Sequence, residues 1–218
     1  METSKEEKNI QTDVTFLRKE YHKQCIIASF NINSLQSKFE EVKEWLDEQV
    51  FDILTIQEAK IDRTFPNSQF YIDGYKLFRK DRTKGGGGIA VYVRDSIAAL
   101  RKRKSGESLA HILLDVLLNN RRFAIVRAYK SPSVDNATFT RELSAVLDEA
   151  ISFSNTLLCT GDLNCDILHP LDNNKEGRCL LDICDVCDLD SIINTPTRIS
   201  KTKKSCLDVD LTTALQPS

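Results

Sequence analysis

Four apolar segments of this 218-residue chain end in acid or amide side chains. These are Asn31 after residues 25–30, Glu58 after 52–57, Asp162 and Asn164 after 156–161, and Asp208 after 205–207. A carboxylate beside a buried segment is costly unless it is paired, solvated or bound to a metal ion. One such residue typically forms a turn or caps a helix, whereas four on neighbouring strands would gather oxygen ligands at one edge.

The residue types at these positions favour phosphoester hydrolysis. Oxygen ligands without a His or Cys pattern suit Mg²⁺ or Mn²⁺ better than zinc. A divalent ion held by one or two carboxylates neutralises phosphate charge and stabilises a leaving oxygen. A nearby aspartate orients or deprotonates a water molecule, and an asparagine donor fixes the phosphate.

Hydrophobic periodicity predicts a strand-rich chain that positions these residues. Residues 1–22 are polar and charged and predict a flexible arm, and residues 23–218 predict one domain. Helices are predicted at 39–50, 138–153 and 176–189, and strands at 25–30, 52–58, 75–81, 88–95, 110–118, 121–129, 155–162 and 205–213. Hairpins dominate the middle, with Asn119-Asn120 as a tight turn, so a mixed or antiparallel α/β sheet is expected.

Composition limits the function classes. The formal charge is −2, so the chain has no overall basic field of the kind that marks many nucleic-acid-binding proteins. Residues 1–22 contain no hydrophobic leader core, and no apolar run approaches the about 20 residues of a membrane span. We therefore expect an intracellular protein, nuclear or cytoplasmic, without membrane attachment.

The seven cysteines are expected to be reduced thiols, because their number is odd and no leader is visible. Cys184 and Cys187 form a C-x-x-C pair, which allows a zinc interpretation. No second pair of Cys or His follows at zinc spacing, and residues 176–189 have the period of an amphipathic helix. A buried helix face is the preferred interpretation, with zinc as the alternative.

An ordered set of motifs resembles a known family. The motifs are S-F-N-I-N-S-L (29–35), I-Q-E-A (56–59), G-G-G-G-I-A-V-Y-V-R-D (85–95), A-Y-K-S-P (128–132), T-G-D-L-N-C-D (160–166) and S-C-L-D-V-D-L-T-T (205–213). This order is similar to that of the endonuclease/exonuclease/phosphatase superfamily, which includes deoxyribonuclease I and the apurinic/apyrimidinic endonucleases. The N-x-N-S-L opening, R-x-D-R before the glycines, and T-P-T-R at 195–198 resemble most the nicking endonucleases of non-LTR (LINE-like) retrotransposons.

The resemblance implies a fold, a substrate and roles for single residues. The implied fold is a four-layer α/β/β/α sandwich with two mixed β-sheets, as in deoxyribonuclease I. The implied substrate is DNA, the cofactor Mg²⁺ or Mn²⁺, and the acting species a monomer. Glu58 and Asn31 match metal-site residues, Tyr129 a phosphate contact, Asp162 the water-activating aspartate, Asn164 its partner and Asp208 the aspartate that orients a histidine, while Arg79 and Arg198 are candidate DNA-backbone contacts.

The family pattern closes with a strand that carries S-D-H, and its histidine completes the site. No S-D-H occurs in the 218 residues, and His22, His111 and His169 are interpreted as structural or surface residues. The sequence thus predicts a domain truncated before its last strand, with an uncovered sheet edge. Activity is expected to be impaired, since such a group contributes about 10²–10⁴-fold to a rate.

Two functions from different classes follow from these observations. The first is a metal-dependent endonuclease that nicks DNA, which the ordered motif set favours. The second is a catalytically inactive or vestigial nucleic-acid-binding domain, which the missing histidine favours. A phosphatase of the same fold is a third and weaker interpretation, because G-D-L-N-C-D lacks the aromatic neighbours of that branch.

Overall fold

The structure, a computed structural model, describes residue 14 and residues 16–82, 87–102, 108–169, 174–199 and 204–213. The chain divides into two compact units, Met1–Ile97 and Ala98–Ser218. Each unit contains its own mixed β-sheet and α-helical structure, so the predicted α/β class with two mixed sheets is confirmed. That residues 23–218 form a single domain stays a prediction.

The first unit is built on a four-stranded sheet. Its strands are β1 (Ile27–Asn31), β2 (Ile53–Gln57), β3 (Tyr75–Lys80) and β4 (Ile89–Arg94), in the order β1-β2-β4-β3. β1 and β2 are parallel, and the other neighbouring pairs are antiparallel. All residues of β2 are buried, as its continuous apolar sequence predicts for an inner strand.

A helix of 13 residues packs on this sheet. Helix α1 (Leu35–Asp47) begins at Ser34, whose side chain accepts a hydrogen bond from Ser37 N (3.3 Å). That bond satisfies one of the N–H groups left without a partner at a helix start. The cap explains why the helix begins before the predicted position, and its buried face joins the apolar core of the unit.

The described part of the predicted N-terminal arm contacts the first unit. Residues 16–20 are helical. Arg18 Nη2 donates to Val50 O (2.7 Å) and to Asp52 Oδ2 (2.7 Å). Val14 is buried in the core of the same unit. These contacts anchor the segment that leads into β1.

The second unit is built on a six-stranded sheet with the order β5-β6-β7-β8-β12-β9. The strands of this unit are β5 (Ala98–Lys102), β6 (Ala110–Leu118), β7 (Arg121–Tyr129), β8 (Leu157–Asp162), β9 (Asp190–Ser191), β10 (Arg198–Ile199), β11 (Lys204–Ser205) and β12 (Asp208–Thr212), of which β10 and β11 form a separate pair. Only β7 and β8 are parallel neighbours. Beside β12, β9 pairs with Leu211 and Thr212 and thereby covers part of the edge that the sequence predicts to be open.

Two helices bury one face of this sheet. They are α2 (Asn136–Phe153) and α3 (Lys175–Cys187), and their apolar residues share one core with β7, β8 and β12. Cys184 and Cys187 lie in that core, which confirms the predicted buried helix face. Burial raises the pKa of the Cys184 thiol to about 12.

The hairpin of β6 and β7 has the predicted turn. Asn119 and Asn120 take left-handed backbone conformations, with φ of 50° and 61°. A two-residue turn with both φ values positive matches the right-handed twist of the two strands. The ladder then runs without a shift from Leu118↔Arg121 to Ala110↔Tyr129, so the turn fixes the position of Tyr129.

No helix in the described part of the chain is both long enough and apolar enough to cross a membrane.

Asp115 of β6 is held by cations from the neighbouring strands. Arg122 Nε donates to Asp115 Oδ1 (2.7 Å), and Lys102 Nζ lies 3.0 Å from Oδ2. The hydrogen bond from Arg122 lowers the pKa of Asp115 to about 2, with a further contribution from Lys102. Because the folded-state pKa is depressed, the resulting stabilisation is present above the unfolded-state pKa of about 4 and is lost as pH falls toward the folded-state value.

Asp115→Asn is expected to lower the free energy of unfolding by about 1 kcal/mol at neutral pH. Urea denaturation should show the difference from the unchanged chain shrinking as pH falls from about 4 to about 2. Glu41→Gln removes the exposed pair with Lys38 and serves as the matched control, with a loss below about 0.5 kcal/mol. A loss for Asp115→Asn that does not depend on pH would contradict the role assigned to its charge.

Candidate active site

Glu58 and Asn31 are in direct contact in the first unit. Asn31 ends β1 and pairs with Gln57, the last residue of the parallel strand β2, which places Glu58 beside it. Asn31 Nδ2 donates to Glu58 Oε1 (3.1 Å), and Lys60 Nζ lies 3.5 Å from Glu58 Oε2. The Glu58 side chain is 30% exposed, so its oxygens are accessible from solvent.

The backbone around Glu58 is strained. Asn33, Glu58 and Lys60 all take left-handed conformations, with φ between 49° and 57°. Such conformations cost about 1 kcal/mol or more for a residue with a side chain, and they concentrate at functional sites. Gly87 and Gly88 hold the strained turn, because their carbonyls accept hydrogen bonds from Lys60 N (2.7 Å) and Ala59 N (3.1 Å).

The oxygen donors of the first unit suit Mg²⁺ or Mn²⁺. They are the Glu58 carboxylate and Asn31 Oδ1, which accepts a hydrogen bond from Asn33 N (3.2 Å). Mg²⁺ typically binds one or two carboxylates and keeps several of its waters. Among the described residues, no group of three or more His, Cys, Asp or Glu side chains could hold a metal ion. The carboxylate that could contact a cation in this unit is that of Glu58, which is partly exposed.

Tyr129, Asp162 and Asp208 lie on one row of the sheet in the second unit. Tyr129 of β7 pairs with Asp162 of β8, and Asp162 pairs with Asp208 of β12. Paired residues of neighbouring strands project to the same face. The adjacent residues Ala128 and Val209 belong to the apolar core beneath the helices, so the three polar side chains stand on the opposite face. We call these three residues the polar row.

Close approach of β7 and β8 brings Tyr129 and Asp162 together. A Cβ atom on Gly161 would lie 1.8 Å from Ala128 O. No side chain fits that space, so glycine is required immediately before Asp162. The sequence motif G-D-L-N thus has a packing reason for its first residue.

Asn164 is fixed beside the polar row by its own backbone and by Lys130. Asn164 N donates to Asp162 Oδ1 (3.0 Å), and Asn164 Nδ2 donates to Lys130 O (2.8 Å). Asn164 takes a left-handed conformation with φ of 49°, which asparagine tolerates better than most residues. A cleft of about 430 Å³ adjoins Asn164, lined also by Lys130, Asp135 and Glu176.

Thr197 positions Asp208, a role that the sequence alone does not reveal. Thr197 Oγ1 accepts hydrogen bonds from Leu207 N (3.1 Å) and Asp208 N (3.2 Å). Thr197 N donates to Ser205 O (3.0 Å), next to the pair formed by β10 and β11. The only signal in the sequence is the motif T-P-T-R, which precedes S-x-L-D.

Thr197→Val is expected to lower the rate of the phosphoester hydrolysis predicted from the sequence about tenfold, because the N–H groups of Leu207 and Asp208 lose their common acceptor. The conservative variant Thr197→Ser keeps the hydroxyl and is expected to stay within about twofold of the unchanged chain. Rates and thermal unfolding should be measured on both variants. Equal activity of the valine and serine variants would show that the hydroxyl does not position Asp208.

The two arginines predicted to contact DNA differ in their surroundings. Arg79 Nη2 donates to Phe65 O (2.6 Å), Asp62 O (3.1 Å) and Asp81 Oδ2 (2.9 Å), and its side chain is 12% exposed. Arg79 therefore holds the loop at residues 62–65. Arg198 begins β10 and is exposed. A DNA contact by either arginine stays a prediction.

The structure describes all three histidines, and two of them, His111 and His169, contact other groups of the protein. His111 is buried and its Nδ1 lies 3.1 Å from Leu109 O. His169 Nδ1 lies 3.3 Å from Asp166 Oδ2, and Asp166 also accepts a hydrogen bond from Cys206 N (3.1 Å). His22 is exposed, in the turn after the helical residues 16–20.

The chain belongs to the endonuclease/exonuclease/phosphatase family, whose sequence profile matches residues 28–209. This match includes all the motif residues described above in both units except residues 210–213. A comparison with curated protein sequences found no significant match.

Several solved structures have a similar fold. One is the endonuclease domain of TRAS1, a telomere-specific non-LTR retrotransposon, with a TM-score of 0.66, 15% identity and coverage of 88% of this chain and 86% of that one. An AP endonuclease from Archaeoglobus fulgidus has a TM-score of 0.58, 20% identity and 87% coverage of both chains. The 3′-5′ exonuclease NExo from Neisseria meningitidis has a TM-score of 0.60, 17% identity and coverage of 85% and 86%. These likenesses confirm the predicted fold class.

Proposed function

We propose that this chain is a divalent-metal-dependent endonuclease that nicks DNA by phosphodiester hydrolysis, of the type found in non-LTR retrotransposons. The observation that carries the proposal is the polar row. Tyr129, Asp162 and Asp208 come from three segments far apart in sequence, yet they occupy paired positions on three adjacent strands. Membership of the endonuclease/exonuclease/phosphatase family supports the same reaction class.

Each residue of the two clusters, one in each unit, has a proposed role that suits its chemistry. Glu58 and Asn31 would hold Mg²⁺ or Mn²⁺, and the bound ion supplies charge neutralisation at the phosphate. Asp162 orients the attacking water and accepts its proton, since its carboxylate stands at the end of β8. Asn164 and Tyr129 donate hydrogen bonds to phosphoryl oxygens, which gain negative charge in the transition state.

The remaining proposed roles concern substrate binding and the orientation of acid–base groups. Asp208 matches the aspartate that orients a histidine in the family pattern, and Thr197 fixes its backbone. Arg79 and Arg198 are proposed contacts to the DNA backbone. The chain is proposed to act as a monomer.

The alternative is a nucleic-acid-binding domain without catalysis. This function does not require the histidine of S-D-H, a motif of the family pattern that these 218 residues do not contain. A DNA-binding function would use the same fold and the proposed contacts of Arg79 and Arg198 with the DNA backbone. It would need neither a metal ion nor Asp162 as the water-activating residue.

A nicking assay on supercoiled plasmid separates the two functions. The 218-residue chain is compared with a version extended by a family-like strand that carries S-D-H, each with Mg²⁺ and with a chelator. Nicking that requires Mg²⁺ in either protein supports the endonuclease. A gain of about 10²–10⁴-fold on extension would measure what the histidine contributes. DNA binding without nicking in both proteins would support the alternative.

A further inference from the structure

Arg127 is the largest fully buried side chain in the described part of the chain, with 0% exposure. Removing a guanidinium from water costs several kcal/mol unless opposite charges and hydrogen bonds compensate. An arginine at the centre of a sheet therefore needs a specific set of partners. Nothing in the composition of the R-A-Y-K segment (residues 127–130) predicts that the Arg127 side chain is buried.

The register of the sheet places Arg127 next to the polar row. Arg127 pairs with Thr160, and Thr160 pairs with Asp210. This second row lies two residues from the polar row on each strand, so its side chains project to the same face. Arg127 Nη1 donates to Thr160 Oγ1 (2.8 Å), which holds the guanidinium on β8, the strand between β7 and β12.

Two of the carboxylates around Arg127, those of Asp208 and Asp162, belong to the polar row. Burial lowers the pKa of Arg127 to about 10, and the carboxylates of Asp210, Asp208 and Asp162 act in the opposite direction, with Asp210 the strongest. Arg127 thus remains a cation at neutral pH. Three half-buried carboxylates on adjacent positions of one face would otherwise repel each other.

We infer that Arg127 is a positioning residue for the proposed nuclease reaction: anchored on Thr160, its buried guanidinium is the internal counter-charge that holds the Asp208 and Asp210 carboxylates in place beside Asp162. The activity part of this inference rests on the proposed function. The charge coupling between Arg127 and Asp210 does not, because it concerns the folded chain alone. Asp210 then contributes most to stabilising the cation, and the cation in turn holds Asp208 in place beside Asp162.

The coupling is tested by a double-mutant cycle on stability. The variants are Arg127→Met, Asp210→Asn and the two combined, and the urea denaturation midpoint is measured for each. Each single change is expected to lower the midpoint. Arg127→Met leaves half-buried carboxylates without the buried cation near them, and Asp210→Asn removes the strongest favourable charge on the buried guanidinium. The combined variant is expected to lose clearly less than the sum of the single losses. Additive losses would overturn the counter-charge role.

The positioning role is tested by steady-state nicking kinetics on the most active form of the chain. Arg127→Met is expected to lower kcat about 10–100-fold with KM for plasmid within about threefold, because the residue acts through the carboxylates and not on DNA. Arg127→Lys keeps the charge and is expected to recover part of the loss in kcat. An increase in KM at unchanged kcat, or a lysine variant no better than methionine, would overturn the positioning role.

The two tests distinguish a failure of this inference from a failure of the proposed function. If the chain nicks DNA but the losses in denaturation midpoint are additive, the inference about Arg127 is wrong and the proposed endonuclease function stands. If the losses are coupled but no form of the chain shows Mg²⁺-dependent nicking, the proposed endonuclease function is wrong. The positioning role of Arg127 is then wrong as well, whereas its charge coupling with Asp210 stands. If Arg127→Met alone does not fold, folding of the combined variant still demonstrates the coupling.

Discussion

Glu58→Gln is expected to lower the rate of Mg²⁺-dependent plasmid nicking about 10²–10³-fold, because a metal ion at the phosphate contributes several kcal/mol to the barrier. The amide replaces one carboxylate oxygen and removes the negative charge that binds the cation. It retains an oxygen for the hydrogen bond from Asn31, so the fold around β1 and β2 should be preserved. The rate is measured under saturating Mg²⁺ and at several lower concentrations.

The matched control for Glu58→Gln is Glu48→Gln, at the exposed end of α1. This change removes the same charge from the same unit and is expected to leave the rate within about twofold, since surface charges contribute little. Thermal unfolding of both variants should be close to that of the unchanged chain. A Glu58→Gln protein that nicks at the unchanged rate would exclude Glu58 from metal binding.

Gly161→Ala is expected to lower the free energy of unfolding by about 3 kcal/mol or more, because overpacking at this position involves backbone atoms that cannot rotate away. The added Cβ would lie 1.8 Å from Ala128 O, so β7 and β8 would have to separate. Urea denaturation and soluble yield measure the effect.

Gly74→Ala is the control for the change at Gly161. Gly74 has a φ of 79° and no atom within 4 Å of an added Cβ, so this variant reports backbone strain without a clash. A loss of about 1 kcal/mol is expected there. Similar losses at both positions would mean that the sheet adjusts around Gly161 and that the close approach of β7 and β8 is not required.

The long, periodic elements were predictable from sequence. The hairpin of β6 and β7 follows from two apolar runs separated by two asparagines, and its observed ends, Ala110 and Tyr129, agree with the prediction. Helix α2 begins at Asn136 and not at the predicted position, because Asp135 accepts a hydrogen bond from Thr138 N and caps it. Local sequence patterns therefore predict most helices and strands. The exact residue at which a helix begins depends on its capping hydrogen bond, which the periodicity does not show.

Features that depend on contacts between segments distant in sequence cannot be predicted from local sequence patterns. β5 (Ala98–Lys102) has the sequence A-A-L-R-K, which lacks an apolar alternation, and it forms only by pairing with β6 at the edge of the sheet. The hydrogen bond of Arg127 spans 33 residues. Asp162 and Asp208 were singled out from their motifs, but their direct pairing required the strand order, since β12 returns to lie beside β8.

The buried thiols of the second unit can be used to measure how often its structure opens locally. They are Cys159, Cys165, Cys184, Cys187 and Cys206, whereas Cys25 and Cys179 are partly accessible. Burial raises the pKa of Cys159 to about 12, so the reactive thiolate is scarce as long as the sheet and helices stay closed. Alkylation of these five sites should proceed only through transient opening of the structure, and its rate in the native state should report how often each segment exposes its core.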